Sequence, residues 1–162
     1  MTLDACTSFA PVALPDAQIL ILGSMPGDES LRQQQYYAFR HNVFWRVMGE
    51  IYHFDPALPY LERLHALGQN KIALWDVLSG CRRTGSLDAM IRDAVPNEIP
   101  ALLQRCSGIR KICCNGTTAG KYLKRFYPEL PAEVVTLPST SPAAALYTYQ
   151  TKLQAWRIAL TH

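Results

Sequence analysis

Four apolar runs in this chain each end in residues able to hydrogen-bond a ligand, and those ends carry the chemistry. Ile19-Leu20-Ile21-Leu22 leads into Gly23-Ser24-Met25-Pro26-Gly27, and Leu74-Trp75 leads into Asp76. Ile112-Cys113-Cys114 leads into Asn115-Gly116-Thr117, and Val134-Val135-Thr136-Leu137 into Pro138-Ser139-Thr140-Ser141-Pro142. Glycine lets a ligand approach the backbone, while hydroxyls, amides and backbone N–H groups supply hydrogen bonds. Asp76 adds a carboxylate at the end of an apolar strand, able to serve a ligand or to bond a neighbouring loop. The glycine spacing at 23–27 matches neither the dinucleotide-binding fingerprint nor a phosphate loop, and no Lys follows it.

Other chemistries find less support. The five cysteines are odd in number, Cys113 and Cys114 are adjacent, and no Cys-x-x-Cys occurs. That pattern points away from a disulfide framework and from zinc or iron–sulfur ligation, and toward buried thiols. His41 and His53 lack metal-ligand spacing with other His, Asp or Glu residues, and His65 and His162 are isolated. No metal and no cofactor are therefore expected.

The elements that must position the strand ends alternate along the chain. Hydrophobic runs predict buried strands at 19–22, 71–77, 111–114 and 134–137, without the alternation of a half-exposed sheet. Helices are expected over 42–53, from Val43, Val47 and Ile51 at four-residue spacing, and over 60–67, where Gly68 would stop the turn. Further helices are expected over 96–106, over 117–126 with Thr117 as cap, and over 148–160. Residues 79–86 read as irregular, with a short helical piece from Leu87. Strands alternating with helices predict one α/β domain, 1–162, whose small parallel sheet is covered on both faces. In such a sheet the four polar ends converge on one rim, where open α/β sheets bind their ligands.

Composition is that of an ordinary globular chain: 162 residues, 49% apolar, 18% charged, net charge +3. The mild positive charge permits a nucleic-acid partner without demanding one. No apolar stretch approaches bilayer length and no secretory leader pattern opens the chain, so a cytoplasmic monomer without a membrane partner is expected.

Taken in order, the strand-end motifs resemble a known family. Gly-Ser-Met-Pro-Gly-x-x-Ser at 23–30 paired with Leu-Pro-Ser-Thr-Ser-Pro-Ala at 137–143 resembles the uracil-DNA glycosylase superfamily. Tyr36-Tyr37-Ala38-x-x-x-Asn42-x-Phe44-Trp45 is similar to the base-stacking and catalytic stretch of its mismatch-specific members. With Leu74-Trp75-Asp76-Val77, Ser86-Leu87-Asp88 and Cys114-Asn115-Gly116, the set most resembles the hypoxanthine-DNA (deoxyinosine) glycosylase branch, over residues 19–156.

The resemblance implies a three-layer α/β/α sandwich around a central four-stranded parallel sheet. It implies a monofunctional enzyme that flips a deaminated base out of DNA and hydrolyses its N-glycosidic bond, leaving an abasic site. Tyr37 would stack on the base. Asn42 would be catalytic, its carbonyl orienting water and its NH₂ bonding the base; the same residue reads equally well as the cap of the following helix. Asp76 would accept a base N–H, favour the sugar cation or polarise water, or else hold a loop. Gly23, Ser24 and Met25 would aim backbone N–H groups at the leaving base, and Asn115 would join them in base binding. Ser30, Ser139, Thr140 and Ser141 would contact DNA phosphates, with Leu146 as a duplex wedge and Arg40, Arg46, Arg82, Arg83, Lys121 and Lys124 nearby. An acid at 76, and no His in the 137–143 loop, argue against strict uracil specificity. The alternatives are a uracil or mismatch-specific DNA glycosylase, a hydrolase of free nucleosides, or a DNA-binding module without catalysis.

Overall fold

A computed structural model describes residues 4–161, so the ends of the expected 1–162 domain, including His162, lie outside the described residues. The central sheet contains β2 (Ile19–Gly23), β3 (Ile72–Asp76), β6 (Lys111–Asn115) and β7 (Glu133–Leu137), all parallel, in the order β3-β2-β6-β7. Alternate side chains of these strands enter two separate apolar layers, as the two-residue period of a strand requires. Leu20, Leu22, Ala73, Trp75, Ile112 and Cys114 pack beneath α4 (Ile99–Arg105) and α5 (Thr117–Phe126). Ile19, Ile21, Ile72, Leu74 and Cys113 pack on the opposite side with α2 (Phe44–Tyr52), α3 (Tyr60–Gln69) and α6 (Tyr149–Thr161). This is the expected three-layer sandwich.

A second sheet was not legible in the sequence. Short β1 (Ala5–Thr7), β4 (Leu78–Arg82) and β5 (Arg92–Pro96) form an antiparallel sheet in the order β1-β4-β5. Its strand β4 takes up the first half of the stretch 79–86 expected to be irregular. Its pairing shifts register between Leu78 and Gly80 and again between Gly80 and Arg82, so no clean alternation survives in the sequence. The outer edge of β3 is covered as well, because Val12 exchanges both backbone hydrogen bonds with Leu74.

Boundaries differ where tertiary contacts override local signals. Gly68 does not end α3, which runs on to Gln69; a Cβ at position 68 would meet Leu14 Cδ1 at 3.0 Å. Thr117 is not the cap of α5. That place falls to Gly116, whose φ of 98° is one a side chain rarely adopts, and whose added Cβ would lie 3.0 Å from Ser139 Cβ. The turn after β2 leads at once into a short helix, α1 (Asp28–Gln33). All five cysteines are free thiols, and four of them are buried.

The central strand β2 is buried from end to end. Leu20→Ala should therefore cost about 3 kcal/mol, the usual price of an aliphatic core truncation. Urea denaturation should show a lower midpoint with an unchanged slope.

Candidate active site

Register alone brings two of the polar strand ends together. Gly23 pairs with Asp76 across β2 and β3, and Asn115 pairs with Leu137 across β6 and β7. The Asp76 residue is 4% exposed, and its Oδ2 is buried with no hydrogen-bond partner among the described residues. Gly23 makes room for it: a Cβ there would lie 2.5 Å from Asp76 Oδ1 and 3.2 Å from the Tyr37 hydroxyl. Burial first, and then repulsion by Asp88, push the Asp76 carboxyl up to about 7, against a smaller opposing pull from Arg83.

The loop above this carboxyl is tied down from behind. Val77 and Leu78 donate their backbone N–H groups to the carbonyls of Gly23 and Ser24. Ser24 Oγ donates to Asp88 Oδ1 at 2.7 Å, and Ser86 Oγ accepts the N–H of Asp28 at 2.8 Å. Arg83, 1% exposed, donates through Nη2 to the Pro26 carbonyl and through Nη1 to Ser86 O at 3.5 Å. Arg83 thus holds the loop from inside, and its burial removes it from the basic residues near the rim that could meet a phosphate. Met25 also turns its side chain into the core. What the loop offers a ligand is therefore backbone. Among the described residues, no hydrogen bond engages the N–H of Ser24 or Met25.

Tyr37 forms another wall. Its φ of 57° is left-handed, a conformation costing a bulky residue roughly 1–2 kcal/mol. Four bonds hold the flanking residues there. Tyr36 N–H donates to the Tyr60 hydroxyl at 3.0 Å, and the Tyr36 hydroxyl donates to Ala10 O at 2.9 Å. Trp45 Nε1 donates to Tyr36 O at 2.9 Å, and Ala38 N–H donates to Ser30 Oγ at 3.0 Å. The Tyr37 ring lies on Phe44 with centroids 4.0 Å apart and a 27° interplanar angle. Ser30, expected to touch DNA, is instead a buried staple of this segment.

The second signature loop is likewise clamped. Asn115 Nδ2 donates to Thr140 Oγ1, and Thr140 N–H donates back to Asn115 Oδ1, both at 2.9 Å. The Thr140 carbonyl accepts Val43 N–H at 3.0 Å, joining the loop to the entry of α2. Thr140 is 1% exposed, so it is a buried hub and not a phosphate ligand. Asn115 has its amide committed to that hub. Ser139 and Ser141 are half-buried, their hydroxyls accepting the N–H groups of Ser141 and Ala143. Leu146 is 96% exposed.

Asn42 sits half-buried at the rim, and its Oδ1 accepts Phe44 N–H at 3.0 Å; the cap position itself falls to Val43, so Asn42 bonds the first N–H of α2 from one residue before the cap. A carbonyl oxygen has a second lone pair, and no described residue engages the Asn42 NH₂ group. Sequence reasoning missed Lys152, whose buried Nζ donates to the Ser141 carbonyl at 3.1 Å. The available signal was its helical phase, four residues before the fully buried Trp156. Among the described residues, no cluster of His, Cys, Asp or Glu is placed to hold a metal ion, and no helix is long and apolar enough to cross a membrane.

The family model for the Uracil DNA glycosylase superfamily matches residues 11–160. The chain belongs to that superfamily. It is 41% identical over 115 residues to a protein of Methanosarcina barkeri named hypoxanthine DNA glycosylase, covering 70% of this chain and 73% of that one. A protein of the same name from Methanosarcina acetivorans is 39% identical over 136 residues, covering 83% and 85%. The solution NMR structure of a Methanosarcina acetivorans protein assigned to the uracil DNA glycosylases superposes with a TM-score of 0.82 at 35% identity. It covers 98% of this chain and 100% of that one.

The buried acid of this glycosylase-superfamily chain makes its stability depend on pH. Between the ordinary carboxyl value and about 7, the folded chain keeps a proton on Asp76 that the unfolded chain releases. Stability therefore falls as pH rises through that window and levels off above it. Asp76→Asn removes the penalty, and thermal melts should show the variant more stable at pH 8, by up to about 4 kcal/mol. At pH 4 the gain should vanish.

Proposed function

We propose that this protein is a DNA glycosylase that hydrolyses the N-glycosidic bond of deaminated bases, hypoxanthine first among them, and leaves an abasic site. The observation that carries this reading is the desolvated Asp76 carboxyl at the floor of a preformed rim, beside Tyr37, in a chain of this superfamily. The two Methanosarcina relatives named hypoxanthine DNA glycosylase support the choice of base.

In the proposed mechanism an extruded purine stacks on the Tyr37 ring. The bond from C1′ to N9 breaks, its electron pair leaves with the base, and positive charge develops on the sugar. Backbone N–H groups of Ser24 and Met25 receive the anionic base, as an oxyanion hole would. Ionised Asp76 accepts the base N–H and favours the sugar cation through space. Asn42, fixed by its bond to Phe44, orients the water that adds to C1′. That water's oxygen becomes the new C1′ hydroxyl, and its second proton neutralises the departing base. Exposed Leu146 suits entry into the base stack, and the exposed Arg40, Arg46, Arg82, Lys121 and Lys124 suit phosphates. The two buried lysines are committed elsewhere, Lys152 to Ser141 O and Lys111 to Ala159 O, and the reaction proposed leaves an abasic site without a lysine adduct.

The test is single-turnover base release from duplexes bearing one deoxyinosine, uracil or xanthine, with hot alkali revealing abasic sites. Release is expected fastest from deoxyinosine; release from uracil alone would reassign the enzyme as a uracil-type glycosylase, and none would overturn the proposal. Asn42→Ala should lose roughly 100-fold in rate, with about 1 kcal/mol of stability lost with the bond to Phe44 N–H. Asn42→Asp keeps that acceptor and removes the NH₂, so it separates the two effects. The rate should rise with pH to a plateau above about 7, the value to which burial pushes Asp76, and this limb should disappear in Asp76→Asn.

A further inference from the structure

Lys152 takes no part in the mechanism above, yet its placement opposes folding in several ways. The residue is 5% exposed, and lysine is rarely buried unless an acid pairs with it. Among the described residues no ion pair includes Lys152. Burial, with no charged neighbour adding to it, holds the ammonium below the usual lysine value. Glu50, an acid of α2 that reaches the start of α6, instead accepts the Tyr149 hydroxyl at 2.9 Å.

Its position along the helix adds to the cost. Thr148 stands at the entry to α6, where its Oγ1 accepts Thr151 N–H at 3.2 Å and its carbonyl accepts Lys152 N–H at 3.0 Å. Lys152 therefore lies at the positive end of the helix dipole, which disfavours a cation, and no acid occupies the first turn. The side chain leans toward the helix start and donates to the Ser141 carbonyl at 3.1 Å. A neutral donor would serve that carbonyl as well, so bracing the loop does not account for the charge.

The loop that Lys152 reaches is furnished for an anion. Ser139 Oγ accepts Ser141 N–H at 3.1 Å, and Ser141 Oγ accepts Ala143 N–H at 3.2 Å. Each hydroxyl is held through its oxygen, and among the described residues neither donates its own hydrogen. Both serines are half-buried. Resting on the glycosylase reading, we propose that Lys152 is the fixed countercharge of one DNA phosphate, seated on the Ser139 and Ser141 hydroxyls beside the extruded nucleotide. Lys152 is a positioning residue: it holds the loop at the Ser141 carbonyl, and its charge reaches the phosphate through that loop. One phosphodiester offsets the burial, the missing acid and the helix dipole together. Exposed lysines and arginines attract DNA anywhere along its length, whereas a charge held under a loop selects one phosphate and so sets the register of the strand.

The test is a charge cycle on binding, read by fluorescence anisotropy. Duplexes carry 2′-fluorinated deoxyinosine, which resists cleavage, and in each a single phosphate around the lesion is replaced by an uncharged methylphosphonate. For the native chain one position should stand out with about a fivefold loss, and Lys152→Gln should lose nothing further there. On the unmodified duplex Lys152→Gln should bind more weakly, with the slope of log affinity against log salt shallower by about 0.9, one phosphate's worth. Lys152→Arg keeps the charge and should restore the slope. A lysine that only braces the loop would leave the slope intact, because serine hydroxyls release no counterion, and the methylphosphonate losses would be the same in the native chain and Lys152→Gln. Either result overturns the proposal. Should Lys152→Gln melt early, Lys152→Met keeps the buried stem and takes its place in the same cycle. If the native chain releases no base from deoxyinosine, the glycosylase reading fails first. Release by the native chain with an unchanged salt slope in Lys152→Gln sinks this inference alone.

Discussion

The close approach of Asp76 to the backbone of Gly23 is the constraint around which this molecule is organised. A carboxyl 4% exposed, at the end of a parallel strand and packed this close to the next strand, requires a neighbour without a Cβ and a loop held in a fixed place beside it. The loop satisfies this by being anchored from behind, with its carbonyls held by Val77 and Leu78 and its turn braced by buried Arg83. The small antiparallel sheet delivers that arginine, since β4 ends one residue before it. What looks like an accessory sheet is therefore the back support of the site.

The same division of labour recurs around the rim. Residues whose side chains are buried and fully bonded set the positions of residues whose polar atoms remain available. Ser30 and Tyr60 fix the segment carrying Tyr37; Asn115 and Thr140 fix the 138–142 loop and, through Val43, the entry to the helix whose first N–H Asn42 accepts. A left-handed tyrosine is sustainable because its neighbours are tied to the 4–18 segment, α1, α2 and α3 at once.

Much of this was legible in the sequence, and the remainder was hidden for physical reasons. The apolar runs at 19–22 and 112–114 read as buried strands, and the helix over 117–126 was legible behind Asn115-Gly116. Strand β4 was invisible because Ser79-Gly80-Cys81-Arg82 has neither an apolar run nor an unbroken period. The hydroxyls of Ser30 and Thr140 were recognisable as hydrogen-bonding groups, but whether such a group meets a phosphate or the protein's own backbone depends on which loop docks over it. That is a property of packing, and no local pattern encodes it. For Tyr37 the motif pointed to the ring, while the packing of its hydroxyl close to Gly23 and Asp76 joins residues distant in sequence, two of them adjacent only through strand register.

The fourfold bracing of the Tyr37 segment bears on how lesions would be searched for. A wall fixed from four separate parts of the chain opens only when those parts come apart, so it has no inexpensive alternative conformation. All the bending and unstacking on encounter then falls to the nucleic acid. Each extruded nucleotide meets a finished surface, and no closing movement has to follow before it is accepted or returned. The dwell time per nucleotide is then set by how long a base stays out of the helix, which is longest where pairing is already weakened.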